Sequence, residues 1–133
     1  MFVEYKLFRN MKLSKTEEEL MNHIWSFKKA YLKDLVEVYS NPKPAITTIA
    51  TLLKRMTDKE FINYKLHGKS REYYPLISKN EYFSKHVNGL IKKFFNDSSS
   101  QFASFFTKET NLTENELKEL RNIIDEQLKQ KKS

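Results

Sequence analysis

Leu20, Met21, Ile24 and Trp25 recur at three- and four-residue spacing, the period of a helix with one buried face. Ser14 precedes them with Glu17 three residues on, the pairing of a capping box. Leu32, Leu35, Val36 and Tyr39 predict a short second helix over 32–39. Asn41-Pro42-Lys43-Pro44 stops it, because proline cannot continue a helix and biases the residue before it toward extended geometry. A third helix follows, with Ile46, Ile49, Leu52, Leu53 and Met56 as its expected buried stripe. Thr47, Thr51, Lys54 and Asp58 fall together on its opposite face, with Thr48 and Arg55 beside them. "FINYKL" and "REYYPLI" then read as two strands around "HGKS", where Gly68 gives the turn its backbone freedom.

The pattern changes character after Ile77. Phe83, Val87, Leu90, Ile91 and Phe94 make the stripe of a helix over 80–97, and "SSSQFASFF" reads as a short helix with a serine cap. "LTENELKELRNIIDEQLKQ" opens on a second capping box, Thr113 to Glu116, and carries Leu117, Leu120, Ile124 and Leu128. The basic end "KQKKS" is expected to fray. These short aromatic helices bury too little surface to be stable alone, which predicts pairing with a second copy. The candidate dimerisation residues are Phe83, Val87, Leu90, Phe94, Phe102, Phe106, Leu117, Leu120 and Ile124.

Three helices followed by a β-hairpin predict a mainly α protein, a winged helix-turn-helix DNA-binding domain over 11–77. A helical dimerisation domain is expected over 78–133. Residues 1–10 read as an N-terminal extension, with Met11 an alternative start.

Charge sharpens this picture. The chain carries a net +7, which suits a polyanionic partner without specifying one. Residues 41–71 hold seven basic side chains against Asp58 and Glu60, so the third helix and the hairpin carry the excess of the whole first half. A DNA reader needs phosphate contacts for affinity and base-edge contacts for sequence. Lysine and arginine supply the first; threonine supplies either, through its hydroxyl or its methyl. The candidate DNA-binding residues are Lys43, Thr47, Thr48, Thr51, Lys54, Arg55, Lys65, Lys69 and Arg71.

Other chemistry finds little support. No cysteine is present, which excludes disulfides and thiolate metal sites. His23, His67 and His86 lack metal-ligand spacing, and neither a Gly-rich phosphate loop nor a nucleophile elbow occurs. The reading is therefore of a non-enzyme with no catalytic residue, metal or cofactor. No apolar run approaches membrane-spanning length and no signal peptide is evident, so the cytoplasm is the expected location. A winged-helix adaptor for protein–protein contact, docking a different partner through Phe94, Phe95, Phe102, Phe105 and Phe106, stands as the alternative.

From Leu13 to Gln127 the chain resembles the penicillinase-repressor family of winged-helix regulators (the BlaI/MecI/CopY type). The resemblance rests on "LSKTEEELMNHIW", "TTIATLLKRMTDKEFI", "REYYPLIS" and "LTENELKELRNII". The family pattern Thr-Val-x-Thr-Leu-Leu-x-Arg-Leu is matched by Thr48, Ile49, Thr51, Leu52, Leu53, Arg55 and Met56. The resemblance implies a homodimeric repressor on palindromic double-stranded operator DNA, released by proteolysis downstream of a membrane sensor metallopeptidase. The Asn-Phe pair cut in the antibiotic-resistance members aligns with Phe105-Phe106, so a phenylalanine stands in place of the asparagine. The C-terminal cysteine motif of the copper-responsive branch is absent. Lys59-Glu60 stands where the family has Lys-Gly, and a positive φ at that place would strain Glu60.

Overall fold

The computed structural model describes residues 12–133, so the predicted extension over residues 1–10 and Met11 lie outside the described residues. The chain divides into two compact units, Met1–Ser84 and Lys85–Ser133.

In the first unit the elements follow the predicted order. Helix α1 spans Lys15–Phe27, strand β1 Ala30–Tyr31, helix α2 Leu32–Glu37 and helix α3 Ile46–Asp58. Strands β2 (Ile62–His67) and β3 (Ser70–Pro75) form the hairpin, and helix α4 begins at Lys79 and ends at Phe94. The capping box of α1 forms as read: Ser14 Oγ accepts from the Glu17 amide at 3.2 Å, and Glu17 Oε1 accepts from the Ser14 amide at 2.8 Å. The hairpin turn has Gly68 at φ 65° between the paired residues His67 and Ser70, a sign that glycine adopts without steric cost.

Two features depart from the expected pattern. The hairpin is part of a three-stranded antiparallel sheet of order β1-β3-β2, with Ala30 opposite Tyr73 and Tyr31 opposite Glu72. Ile46 is not in the buried stripe of α3: it is 61% exposed, because it opens the first turn beyond the reach of the core. Ile49, Leu52, Leu53 and Met56 are buried as expected. They join Leu20, Met21, Ile24, Leu35, Phe61, Ile62 and Tyr73 in one apolar cluster.

Helix α3 ends in a Schellman motif. The Phe61 amide reaches the Met56 carbonyl at 3.0 Å and the Glu60 amide reaches Thr57 at 3.0 Å, with Glu60 at φ 68°. Glutamate thus occupies the position that glycine favours, and the strain expected at Glu60 is present. Burial of Met56 and Phe61 at either end of the motif holds the turn in place.

Tyr82, on the first turns of α4, is 1% exposed within this unit. Its ring meets Trp25 at 5.6 Å and Phe61 at 5.8 Å. Its hydroxyl donates to Glu18 Oε2 at 2.8 Å and accepts from the Leu13 amide at 3.3 Å. Burial and the Glu18 hydrogen bond push that hydroxyl up to about 12.

The second unit contains the remainder of α4, helix α5 (Ser99–Glu109) and helix α6 (Glu114–Lys132). Ser98 caps α5 through the Gln101 amide, and the Thr113–Glu116 capping box starts α6. The expected fraying of the basic end is not observed: α6 continues to Lys132, where Lys129, Lys131 and Lys132 complement the negative end of the helix dipole. Neither α5 nor α6 buries a residue within the chain. Phe95 meets Phe102 at 5.6 Å and Phe105 at 5.3 Å, and Phe102 stacks on Phe106 at 6.2 Å.

Candidate nucleic-acid interface

The outer surface of α3 separates into two faces. Thr47, Thr48, Thr51 and Arg55, with Leu52 beneath, surround a shallow hollow of about 290 Å³. Thr48, Thr51 and Arg55 follow one another at helical spacing, so they form a stripe one residue wide. Their placement follows from the buried stripe: with Ile49, Leu52, Leu53 and Met56 inward, these four side chains are left in solvent. The second face holds Ile46, Ala50, Lys54, Thr57 and Asp58, and looks into an open cleft of about 1050 Å³. Helix α2 contributes Leu32, Lys33, Val36 and Glu37 to that cleft, and the sheet contributes Tyr31, Tyr64, His67, Lys69, Ser70, Arg71 and Tyr73. Thr51 and Lys54 are neighbours at i, i+3 on α3, as the periodicity groups them; Thr51 borders the hollow and Lys54 the cleft.

The candidate cations differ in how they are held. Lys43 Nζ donates to the Glu37 carbonyl at 2.8 Å and lies 3.1 Å from its carboxylate. Lys54 pairs with Asp58 at 3.4 Å, one turn on. Arg71 lies over the Tyr64 ring at 4.4 Å, and Tyr73 with Tyr64 raises its already high pKa further. Arg55, Lys65 and Lys69 have no ion-pair partner among the described residues, and all three are exposed. These three are therefore ready to meet phosphate without first breaking a contact.

Lys33, Tyr31 and His67 carry no local sequence signal for this cleft, because only the folding of α2 and the sheet together brings them beside Lys54 and Arg71. His67 is tied to Glu72 at 3.1 Å across the hairpin. A further unpredicted contact joins the capping residue of α1 to the end of α3. Glu17 Oε1 lies 2.7 Å from Lys59 Nζ, with the glutamate side chain 1% and the lysine 30% exposed. Burial alone would raise the Glu17 pKa, but hydrogen bonds from Lys59 and Ser14, with the lysine charge, bring it below the usual carboxylate value. No sequence signal links two residues 42 positions apart.

The predicted dimerisation residues lie mostly in solvent on the single chain. Val87, Leu90, Phe94, Phe106, Leu117 and Ile124 are exposed, while Phe102 and Leu120 are half-buried. Phe83 packs on Trp25 at 5.9 Å and Tyr82 at 5.2 Å within the first unit. Phe105 and Phe106 lie inside α5. No helix among the described residues is long and apolar enough to cross a membrane.

A three-helix body with a β-hairpin wing and an outward, basic third helix makes this a winged helix-turn-helix protein. A family model described as penicillinase repressor matches residues 13–126. The chain belongs to the penicillinase repressor family. It is similar to the methicillin resistance regulatory protein MecI of Staphylococcus aureus strain N315, 30% identical over 118 residues, covering 88% of this chain and 96% of that protein. It is also similar to the penicillinase repressor of Bacillus licheniformis, 25% identical over 121 residues, with 90% and 94% covered. Among solved structures, the solution structure of the DNA-binding domain of the repressor BlaI aligns with a TM-score of 0.48 and 26% identity. That alignment covers 53% of this chain and 88% of that one.

Proposed function

We propose that the chain is a cytoplasmic transcriptional repressor that binds a palindromic DNA operator as a homodimer. The observation that carries this reading is the solvent-facing stripe of Thr48, Thr51 and Arg55 on α3, set against a basic wing. Side chains this short bring the helix backbone close to the floor of the major groove, and Arg55 extends from the same stripe. Lys54, Lys69 and Arg71 flank the neighbouring cleft and supply phosphate contacts, joined by Lys33. Dimerisation through the second unit is supported by α5 and α6, in which no residue is fully buried within one chain while large apolar side chains are exposed.

Release by a membrane sensor peptidase acting at Phe105-Phe106 is part of the same proposal. Because that bond lies inside α5, a peptidase must first unwind the helix locally to extend the chain across its active site. A salt titration on a palindromic fragment tests DNA binding. A dimer engaging roughly six to ten phosphates gives a slope of log affinity against log salt of about −5 to −9. A flat response rules out the repressor reading.

A further inference from the structure

The hydroxyl of Thr51 is already used. Its Oγ1 donates to the Thr47 carbonyl one turn back at 2.8 Å, although the residue is exposed on the outer face of α3. A threonine bonded in this way has spent its only donor on its own helix. In the staggered arrangement about Cβ, turning Oγ1 toward the backbone leaves the methyl as the group presented outward. The surroundings match an apolar contact. Leu52, 6% exposed, underlies the hollow that Thr51 borders, whereas the Thr48 hydroxyl and the Arg55 guanidinium have no hydrogen-bond partner among the described residues. The stripe therefore presents a methyl group at its centre and free donors at its two ends.

We propose that Thr51 reads sequence through its methyl group, by packing on the 5-methyl of a thymine in the major groove, while Thr48 and Arg55 supply the hydrogen bonds on either side. Thymine is the base that exposes a methyl there, so the contact selects it without a hydrogen bond. The inference rests on the operator-binding reading above and specifies the group that does the reading.

The test uses the full chain and an operator duplex selected from random-sequence DNA. Each thymine of that duplex is replaced in turn by uracil, which lacks only the methyl. Binding is measured for the wild type, Thr51→Val, Thr51→Ser and Thr51→Ala. Removing one buried methyl corresponds to about a four-fold loss of affinity, or ~0.8 kcal/mol. One thymine in each half-site should show that loss on conversion to uracil in the wild type and in Thr51→Val, and none in Thr51→Ser or Thr51→Ala. Thr51→Val, which keeps the methyl and loses the hydroxyl, should bind within about two-fold of the wild type. If Thr51→Ser binds normally and Thr51→Val does not, the hydroxyl reads the base and the proposal is wrong. It is equally wrong if no thymine shows the coupling. A Thr51→Ala variant weakened alike on operator and random DNA removes Thr51 from base reading altogether. Failure to select any sequence defeats the operator reading itself.

Discussion

Lys59→Met is the perturbation that most directly tests how α3 is anchored. Methionine keeps the apolar stem and removes the ammonium group, leaving Glu17 buried with the Ser14 amide as its remaining donor to the carboxylate. Glu17 Oε2 is buried and has no hydrogen-bond partner among the described residues, so none of them replaces the lost charge. Removing one partner of a fully buried ion pair costs about 3–5 kcal/mol. Lys59 retains some contact with water, which lowers the expectation to about 2–3 kcal/mol. With a urea m-value of about 1 kcal/mol/M for a domain this small, the midpoint should fall by about 2–3 M. Trp25 is the single tryptophan and its indole donates to the Ile77 carbonyl at 2.8 Å, so its fluorescence follows the winged-helix unit alone. In a Glu17→Gln background the same Lys59→Met change should cost less than about 1 kcal/mol, since no buried charge is stranded. The pH dependence has a definite sign. A lowered folded pKa means that the stabilisation is complete above the ordinary glutamate value of about 4.3 and is lost as pH falls through the folded value. The wild type and Lys59→Met should therefore converge on acidification. A loss below about 0.5 kcal/mol, or one unchanged by Glu17→Gln, refutes the claim that this pair anchors the end of α3.

Other expectations follow from single features. Lys69→Ala, on the wing turn, should weaken binding to operator and random DNA alike and reduce the salt slope of the dimer by about 2, roughly one for each half-site. Glu60→Gly should raise stability by about 0.5–1 kcal/mol in thermal melts, because it relieves the positive φ at the end of α3. Ile124→Asp places a charge on the exposed apolar stripe of α6, so light scattering should show a monomer in place of a dimer. A wild-type monomer in the same measurement would favour the adaptor reading of the aromatic helices.

The sequence disclosed whatever depends on local spacing. Ser14 with Glu17 and Thr113 with Glu116 announce helix starts through contacts three residues apart, and both capping boxes form. The buried stripe of α3 follows the helical period except at Ile46, where the first turn projects past the elements that cover the rest. Strand β1 was not legible because two residues have no period. Ala30 and Tyr31 become a strand through β3, more than forty positions on. The same limit hid Lys33 and His67 from the cleft and Lys59 from Glu17. The division of α3 into a hollow and a cleft depends on where the wing and α2 stand, which helix periodicity alone does not encode.

The placement of Tyr82 has a practical consequence for dissecting the molecule. A fragment cut after the wing, at Ile77, would remove a side chain that is 1% exposed and carries two hydrogen bonds, opening a hole beside Trp25 and Phe61. Phe/Trp-sized vacancies of this kind cost about 3–5 kcal/mol, comparable with the whole stability of a domain of this length. A fragment ending at Ser84 keeps the plug. Limited digestion should accordingly spare the first turns of α4 for as long as the winged-helix unit remains folded.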